Sequence, residues 1–274
     1  MRCTRLLILV LLLSFALWLL PDYAQARELK EIRHQGSLRI AVKDNIRPLG
    51  FRDGKGQLQG LEIDLARRLA EDLLQKPHSL QLQPVNNRDR LAWVLENQVD
   101  IAIARVTATP GRSRLVNFSI PYYLDSTVLI TKSPSLQRLV DLKSRKIAVL
   151  RGSSTVDRVN YFIPNAEIVG VNSYQQAYQK LEQNQVDAFA ADGSILTGWT
   201  QLYPGYRLLP IRLSTEPLAV VIPKGLQHDQ LRQEINQAIA RYLETGWLKE
   251  RIEYWGLLPS QLQIPISEST TKDR

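Results

Sequence analysis

DIAIARVTATPGR, residues 100–112, decides how the chain is read. DIAIARV alternates small and branched apolar residues like a buried strand. Thr107-Ala108-Thr109-Pro110 then reads as a turn. Thr109 is a good helix N-cap, and Pro110 suits the first helical position. Arg112 would fall in the first turn of that helix. A strand running into a capped helix is half of a βαβ unit, so the stretch predicts an α/β fold rather than an all-β or all-α one.

The same alternation extends in both directions. Upstream, LRIAV (38–42) is a short apolar strand ending at Lys43, followed by the turn-rich FRDGKGQLQG (51–60). Leu61, Leu65, Leu69 and Leu73 recur every four residues, the spacing of one helix face. LQLQPV (80–85) reads as a strand and 88–97 as a helix. Downstream the pattern restarts: RKIAVL (145–150) is a strand, Gly152-Ser153-Ser154-Thr155 a turn, and a helix follows. AEIVGV (166–171), YQQAYQKLEQ (174–183) and VDAFAA (186–191) read as strand, helix and strand. Two tandem α/β units, each a mostly parallel, doubly wound sheet, are the expectation. After PLAVVIPKG (217–225) comes a long helix with Leu231, Ile235, Ala238, Ile239 and Tyr242 at helical spacing, and Gly246 stands where a C-terminal cap belongs. Residues 259–274 read as a polar tail.

The first 26 residues are set apart. Arg2 and Arg5 precede an uncharged apolar run from Leu6 to Leu20, and Ala24-Gln25-Ala26 follows Pro21. This is the pattern of a cleavable secretory signal peptide, and the apolar run is short for a membrane span. It sends the mature protein across the membrane, out of the cytoplasm. An uncleaved anchor is the rival reading. Cys3, the one cysteine, lies ahead of the apolar run, so a lipid anchor is not expected there. The chain carries a net charge of +8; cleavage would remove Arg2, Arg5 and Asp22 and leave +7. The basic residues are scattered, which speaks against a nucleic-acid partner and leans toward small anionic ligands. With no cysteine the mature chain has no thiolate nucleophile or Cys-ligated metal, and no metal or cofactor is expected.

Ligands of open α/β sheets bind outside the carboxyl ends of the strands. Three strand ends stand out. Arg112, with Thr107 and a helix N-terminus, makes a cradle for a carboxylate; the plainer reading is a capped helix with Arg112 in solvent. Ser153 and Ser154 offer hydroxyl and amide donors from the second unit. Asp192 offers an acid to an ammonium, or alternatively caps the helix starting near Ser194. An anion cradle facing an acid suits a zwitterion, the head of a free amino acid.

Five blocks, in order, carry a family resemblance: LRIAVKDNIRPLGFRDGKGQLQGLEIDLARRLAEDL, QVDIAIARVTATPGRSRLVNFSIPYY, DLKSRKIAVLRGSST, VDAFAADGSIL and AVVIPKG. From about Leu38 to Leu258 the chain resembles the family 3 extracellular solute-binding proteins, the periplasmic amino-acid-binding components of ATP-binding-cassette importers. The resemblance implies a two-lobed periplasmic-binding-protein-like (type II) fold with a ligand cleft and a two-stranded hinge. It implies crossings near Tyr122–Ser126 and Ile211–Pro217. Lobe 1 would comprise 27–123 plus 218–258, and lobe 2 would comprise 124–217. It further implies that Arg112 grips the ligand's α-carboxylate with help from Thr107, Ser153 and Ser154. Asp192 would take the α-ammonium.

The side-chain end of the implied site is less orthodox. Aromatics common in the family are missing at Ile46 and Asn87. Lys43 and the Asn87-Arg88-Asp89-Arg90 segment resemble the glutamate/aspartate-binding branch, with Lys43 and Arg90 meeting a side-chain carboxylate and Asn87 beside them. Arg105 departs from the family's usual glycine or serine. Three readings of it stay open: a third cationic contact, a smaller pocket, or a side chain in solvent. Lys43, Arg90 and Arg112 against Asp192 leave an excess of positive charge. A cationic ligand would meet each of them at a cost on the order of 4 kcal/mol, at ~4 Å and an effective dielectric of ~20 before screening. The expectation is a monomeric, non-enzymatic binding protein that captures an acidic amino acid and delivers it to an inner-membrane permease. The alternatives are a glutamine or other carboxylate binder, and a dehydratase-like enzyme on the same scaffold. For an enzyme, Glu216 is the spare carboxylate, read as a solvated hinge residue. His34, His78 and His228 are read as surface residues.

Overall fold

The computed structural model describes residues 27–74 and 80–259. The signal-peptide reading of residues 1–26, His78 and nearly all of the polar tail lie outside the described residues. None of the helices within them is long and apolar enough to cross a membrane.

Two five-stranded sheets carry the fold, and their strand orders correspond. In the first, Leu80–Pro84, Leu38–Val42 and Ile101–Ile103 run parallel, with Leu38–Val42 in the middle. Val221–Ile222 then adds antiparallel, and Asn117–Phe118 closes the edge. In the second, Glu167–Val171, Lys146–Leu150 and Ala188–Asp192 are parallel in the same relative order. Thr127–Thr131 and Arg207–Leu208 add antiparallel. Parallel strands need crossover helices, which cover both faces of each sheet.

The two-residue period of the strands shows directly in the cores. Ile40, Val42, Ile101 and Ile103 join the apolar layer that also holds Leu61, Leu65, Leu69 and Leu73 of the Leu61–Leu74 helix. Ile235, Ile239 and Tyr242 of the long Asp229–Glu244 helix complete that layer. Ala41 and Ala102, one residue out of phase, face the opposite layer with Val85, Val94 and Val106. The second sheet repeats this arrangement, with Val128, Ile130 and Phe189 on one face and Leu129, Ile147 and Val149 on the other.

The lobes are joined by the antiparallel pair Tyr123–Asp125 and Glu216–Leu218, in which Glu216 lies opposite Asp125 and Leu218 opposite Tyr123. Tyr122, Tyr123 and Leu218 pack into the first lobe's core. At the far end of the chain, Leu258 packs against the second lobe's core and its carbonyl accepts from the Tyr123 hydroxyl at 3.2 Å.

Three local expectations are corrected. The helix expected over 88–97 is a turn followed by a single helical turn, Ala92–Leu95. The helix expected after Thr109 is only a 3₁₀ turn, Arg112–Arg114, so no helix dipole backs Arg112. His228 is buried, 1% exposed, and its burial lowers its pKa; His34 is exposed as expected.

Candidate functional site

The parallel strands of both lobes end at the cleft, and two cavities open there. The smaller, about 220 Å³, is lined by Arg90, Arg105, Thr107 and Arg112 from the first lobe, and by Ser153, Ser154, Tyr174 and Asp192 from the second. Glu216 of the hinge completes its acidic side. The larger, about 510 Å³, is lined by Lys43, Arg47, Asn87 and Arg105 on one side and by Tyr174, Tyr178, Trp199 and Tyr203 on the other. All nine residues singled out in the sequence therefore line the cleft, and Arg105 lines both cavities.

Arg112 is held where the 3₁₀ turn begins. Its backbone N–H donates to the Thr109 hydroxyl at 3.4 Å, and its guanidinium Nη1 donates to the Thr107 carbonyl at 2.8 Å. Thr107 is itself bridged to Leu218 beside the hinge. A fork pinned at one nitrogen presents the rest of its edge to an anion. Ser153 donates its hydroxyl to the Leu150 carbonyl at 2.7 Å, so that proton is not offered to a ligand.

Lys43 is a buried lysine, 2% exposed, whose Nζ donates to the Val85 carbonyl at 2.6 Å. Burial lowers its pKa, and the nearby Arg90 adds to the effect. Arg90 is a strut as well as a charge. Its guanidinium donates to the Ala104 carbonyl at 2.9 Å and to the Arg105 carbonyl. Burial, with Arg112 and Arg105 close by, pushes its pKa down to about 10, which leaves it charged at neutral pH.

Arg105 is the pivot of the site. Its φ of +51° is left-handed, a region that non-glycine residues visit at a cost. Glu62 holds it there. This glutamate is 0% exposed, and its Oε1 accepts the Arg105 backbone N–H at 2.7 Å and the Tyr122 hydroxyl at 2.6 Å. Burial raises the Glu62 pKa, and the same buried pair raises that of Tyr122. From this clamped backbone the Arg105 side chain crosses the cleft and ion-pairs with Asp192. Its Nε stands 3.9 Å from Asp125. Of the three readings left open by the sequence, exposure to solvent is excluded: the side chain is 14% exposed.

Asp192 occupies the N-cap position of the Gly193–Leu202 helix, yet its side chain caps nothing. Asp125 does that work from the hinge, accepting from the Ser194 N–H at 3.0 Å and the Ser194 hydroxyl at 2.5 Å. The helix-capping alternative for Asp192 is thereby corrected. Glu216 also differs from the solvated hinge residue expected: its side chain is 18% exposed, 3.8 Å from Arg158, and accepts from Ser214 at 3.3 Å.

The two cavities together present five cations, Lys43, Arg47, Arg90, Arg105 and Arg112, against two acids, Asp192 and Glu216, a net charge of +3. Both acids are ion-paired, whereas among the described residues Lys43, Arg47, Arg90 and Arg112 have no carboxylate partner. Sequence reading missed Arg47, Glu62, Asp125 and the aromatic wall. Tyr174 with Tyr178 and Trp199 with Tyr203 do stand at i, i+4, which puts each pair on one helix face.

The chain matches the bacterial extracellular solute-binding proteins, family 3, over residues 38–257, and it belongs to that family. It is 25% identical over 230 residues to the ABC transporter glutamine-binding protein GlnH of Bacillus subtilis (strain 168), covering 83% of this chain and 84% of that protein. It is 26% identical over 222 residues to the glutamate-binding protein GluB of Corynebacterium glutamicum, covering 77% of this chain and 75% of the other. Among solved structures, the Ancestral Cationic Amino Acid Solute Binding Protein (AncCDT-1) superposes with a TM-score of 0.70 at 26% identity, over 83% of this chain and 98% of that one.

Proposed function

We propose that this protein is the periplasmic solute-binding component of an ABC importer, that it captures a small acidic solute of amino-acid size, and that it delivers it to a membrane permease. The observation that carries this reading is the set of cleft cations without an acid partner among the described residues, Lys43, Arg47, Arg90 and Arg112. Glutamate and aspartate are the amino-acid members of that solute class. One carboxylate would lie against Arg112 in the smaller cavity, and the other toward Lys43 and Arg47 in the larger. The relatives GlnH and GluB are named for glutamine and glutamate, in keeping with a carboxylate- or amide-bearing ligand, whereas the solved neighbour is named for cationic amino acids. Of the residues singled out as ligand contacts, Lys43, Asn87, Arg90, Arg105, Thr107, Arg112, Ser154 and Asp192 are assigned to this cleft as proposals, while Ser153 lines it with both its hydroxyl and its N–H donating to the Leu150 carbonyl. Capture proceeds by hinge closure about Tyr123–Asp125 and Glu216–Leu218. The polypeptide acts as a monomer, without catalysis, in the periplasm after signal-peptide removal.

Calorimetric titration of the protein, freed of bound solute by unfolding and refolding, tests this. Glutamate, glutarate, glutamine and arginine are added in turn. Binding of an acidic solute with none of arginine is expected. Tight arginine binding would refute the cationic-cleft reading.

A further inference from the structure

A free amino acid brings a positive charge into its site, and that charge needs a carboxylate to meet it. Here Asp192 already has its cation. The Arg105 guanidinium reaches it from the opposite lobe, and the contact is built rather than incidental. The Arg105 backbone is fixed in the left-handed region by Glu62 and by the Arg90 strut. Asp192 is released from helix capping because Asp125 takes over that task. The second acid of the lining, Glu216, is engaged by Arg158 and Ser214. An incoming ammonium would have to displace a tethered guanidinium and then lie beside it. A carboxylate without an amine meets no such competition and finds Arg112, Arg90, Lys43 and Arg47 unpaired by any acid of the described residues.

We propose that Arg105 supplies from the protein the positive charge that an amino-acid ligand would otherwise bring, and that the solute is a small dicarboxylate without an amine. This rests on the reading of the cleft as a site for acidic solutes and narrows it. The two carboxylates lie on either side of Arg105, which together with Tyr174 lines both cavities.

The test compares ligands that differ only in the amine: succinate with aspartate, and glutarate with glutamate, titrated into the protein freed of bound solute. In wild type each dicarboxylate should bind at least about tenfold tighter than its amino acid. Arg105→Gly, which accepts the left-handed backbone without strain and frees Asp192, should shift that preference by at least about tenfold toward the amino acids. Asp192→Asn gives a second readout that does not depend on the glycine variant folding. It should tighten dicarboxylate binding by at least about threefold, because Arg105 loses the acid that neutralises it. A collapse of affinity in Asp192→Asn would mean that the carboxylate meets the ligand, and would overturn the proposal. Tighter wild-type binding of glutamate or aspartate would overturn it too, while leaving the acidic-solute reading in place. Binding of none of the four ligands would overturn both.

Discussion

Replacing Glu62 by alanine removes the acceptor shared by two buried donors, the Arg105 N–H at 2.7 Å and the Tyr122 hydroxyl at 2.6 Å. Each donor left unsatisfied costs about 1–3 kcal/mol, so Glu62→Ala should lower stability by about 2–6 kcal/mol before the vacated space adds its own cost. Glu62→Gln is the informative control. Its amide oxygen can accept both bonds, and its NH₂ replaces Oε2, which has no partner among the described residues. The glutamine variant should therefore lie within about 1 kcal/mol of wild type near pH 5. Urea denaturation of the three proteins, read by tryptophan fluorescence, measures the difference.

The pH dependence supplies a second check. Burial raises the Glu62 pKa above its ordinary value of 4.5. A carboxyl with a raised folded-state pKa contributes stability that is fully present below the unfolded value and is lost as pH rises through the folded one. Wild type should therefore weaken relative to Glu62→Gln as pH rises from about 4.5. Equal stability of the alanine and glutamine variants, or a difference between wild type and glutamine that stays flat with pH, would refute the argument that Glu62 clamps the strand end from a desolvated position.

Gly198 of the second lobe faces the first so closely that a Cβ there would lie 2.1 Å from the Arg47 carbonyl oxygen. Gly198→Ala should favour the helix by about 1 kcal/mol yet hold the lobes apart; weaker solute binding and a larger radius of gyration in solution scattering are expected, and wild-type values of both would exclude this contact from closure. Lys43→Met removes a buried cation together with its bond to the Val85 carbonyl, so affinity for glutarate should fall more than affinity for glutamine; calorimetry showing equal losses would remove Lys43 from the site. Arg112→Gln should lower acidic-solute affinity by about 100-fold while changing stability by only about 1 kcal/mol, because the one bond lost is to the Thr107 carbonyl; a thermal melt run beside the titration separates the two. Binding at a cleft with a net charge of +3 should weaken as salt is raised, and salt-independent affinity would argue against a charged ligand.

The fold was legible because its signals are local. Two-residue alternation in LRIAV and DIAIA, and four-residue spacing of leucines in the first long helix, each follow from which face of one element is buried. The strand ends were legible for the same reason: a parallel sheet gathers its carboxyl ends at one edge, and that rule alone brings Lys43, Arg105, Ser153 and Asp192 to the cleft. The partnerships within the cleft were not legible, because they depend on distance across lobes. Glu62 reads as an ordinary acid in the first turn of a helix, where a negative charge suits the dipole. Nothing within its own segment says that the strand end carrying Arg105 lies within hydrogen-bond reach. Asp192 reads as a helix cap because it stands at the N-cap; only the arrival of Asp125, 67 residues earlier in the chain, shows that the cap is supplied from elsewhere. Arg105 is the instructive case. Its departure from a small residue was visible in the sequence, but its direction was not. The left-handed backbone sets that direction, and the backbone is held by two residues that come earlier in the sequence, Glu62 and Arg90. A substitution that looks like extra charge in one strand is thus a change in the charge balance of the opposite lobe, and it is there, at Asp192, that its effect on ligand choice is decided.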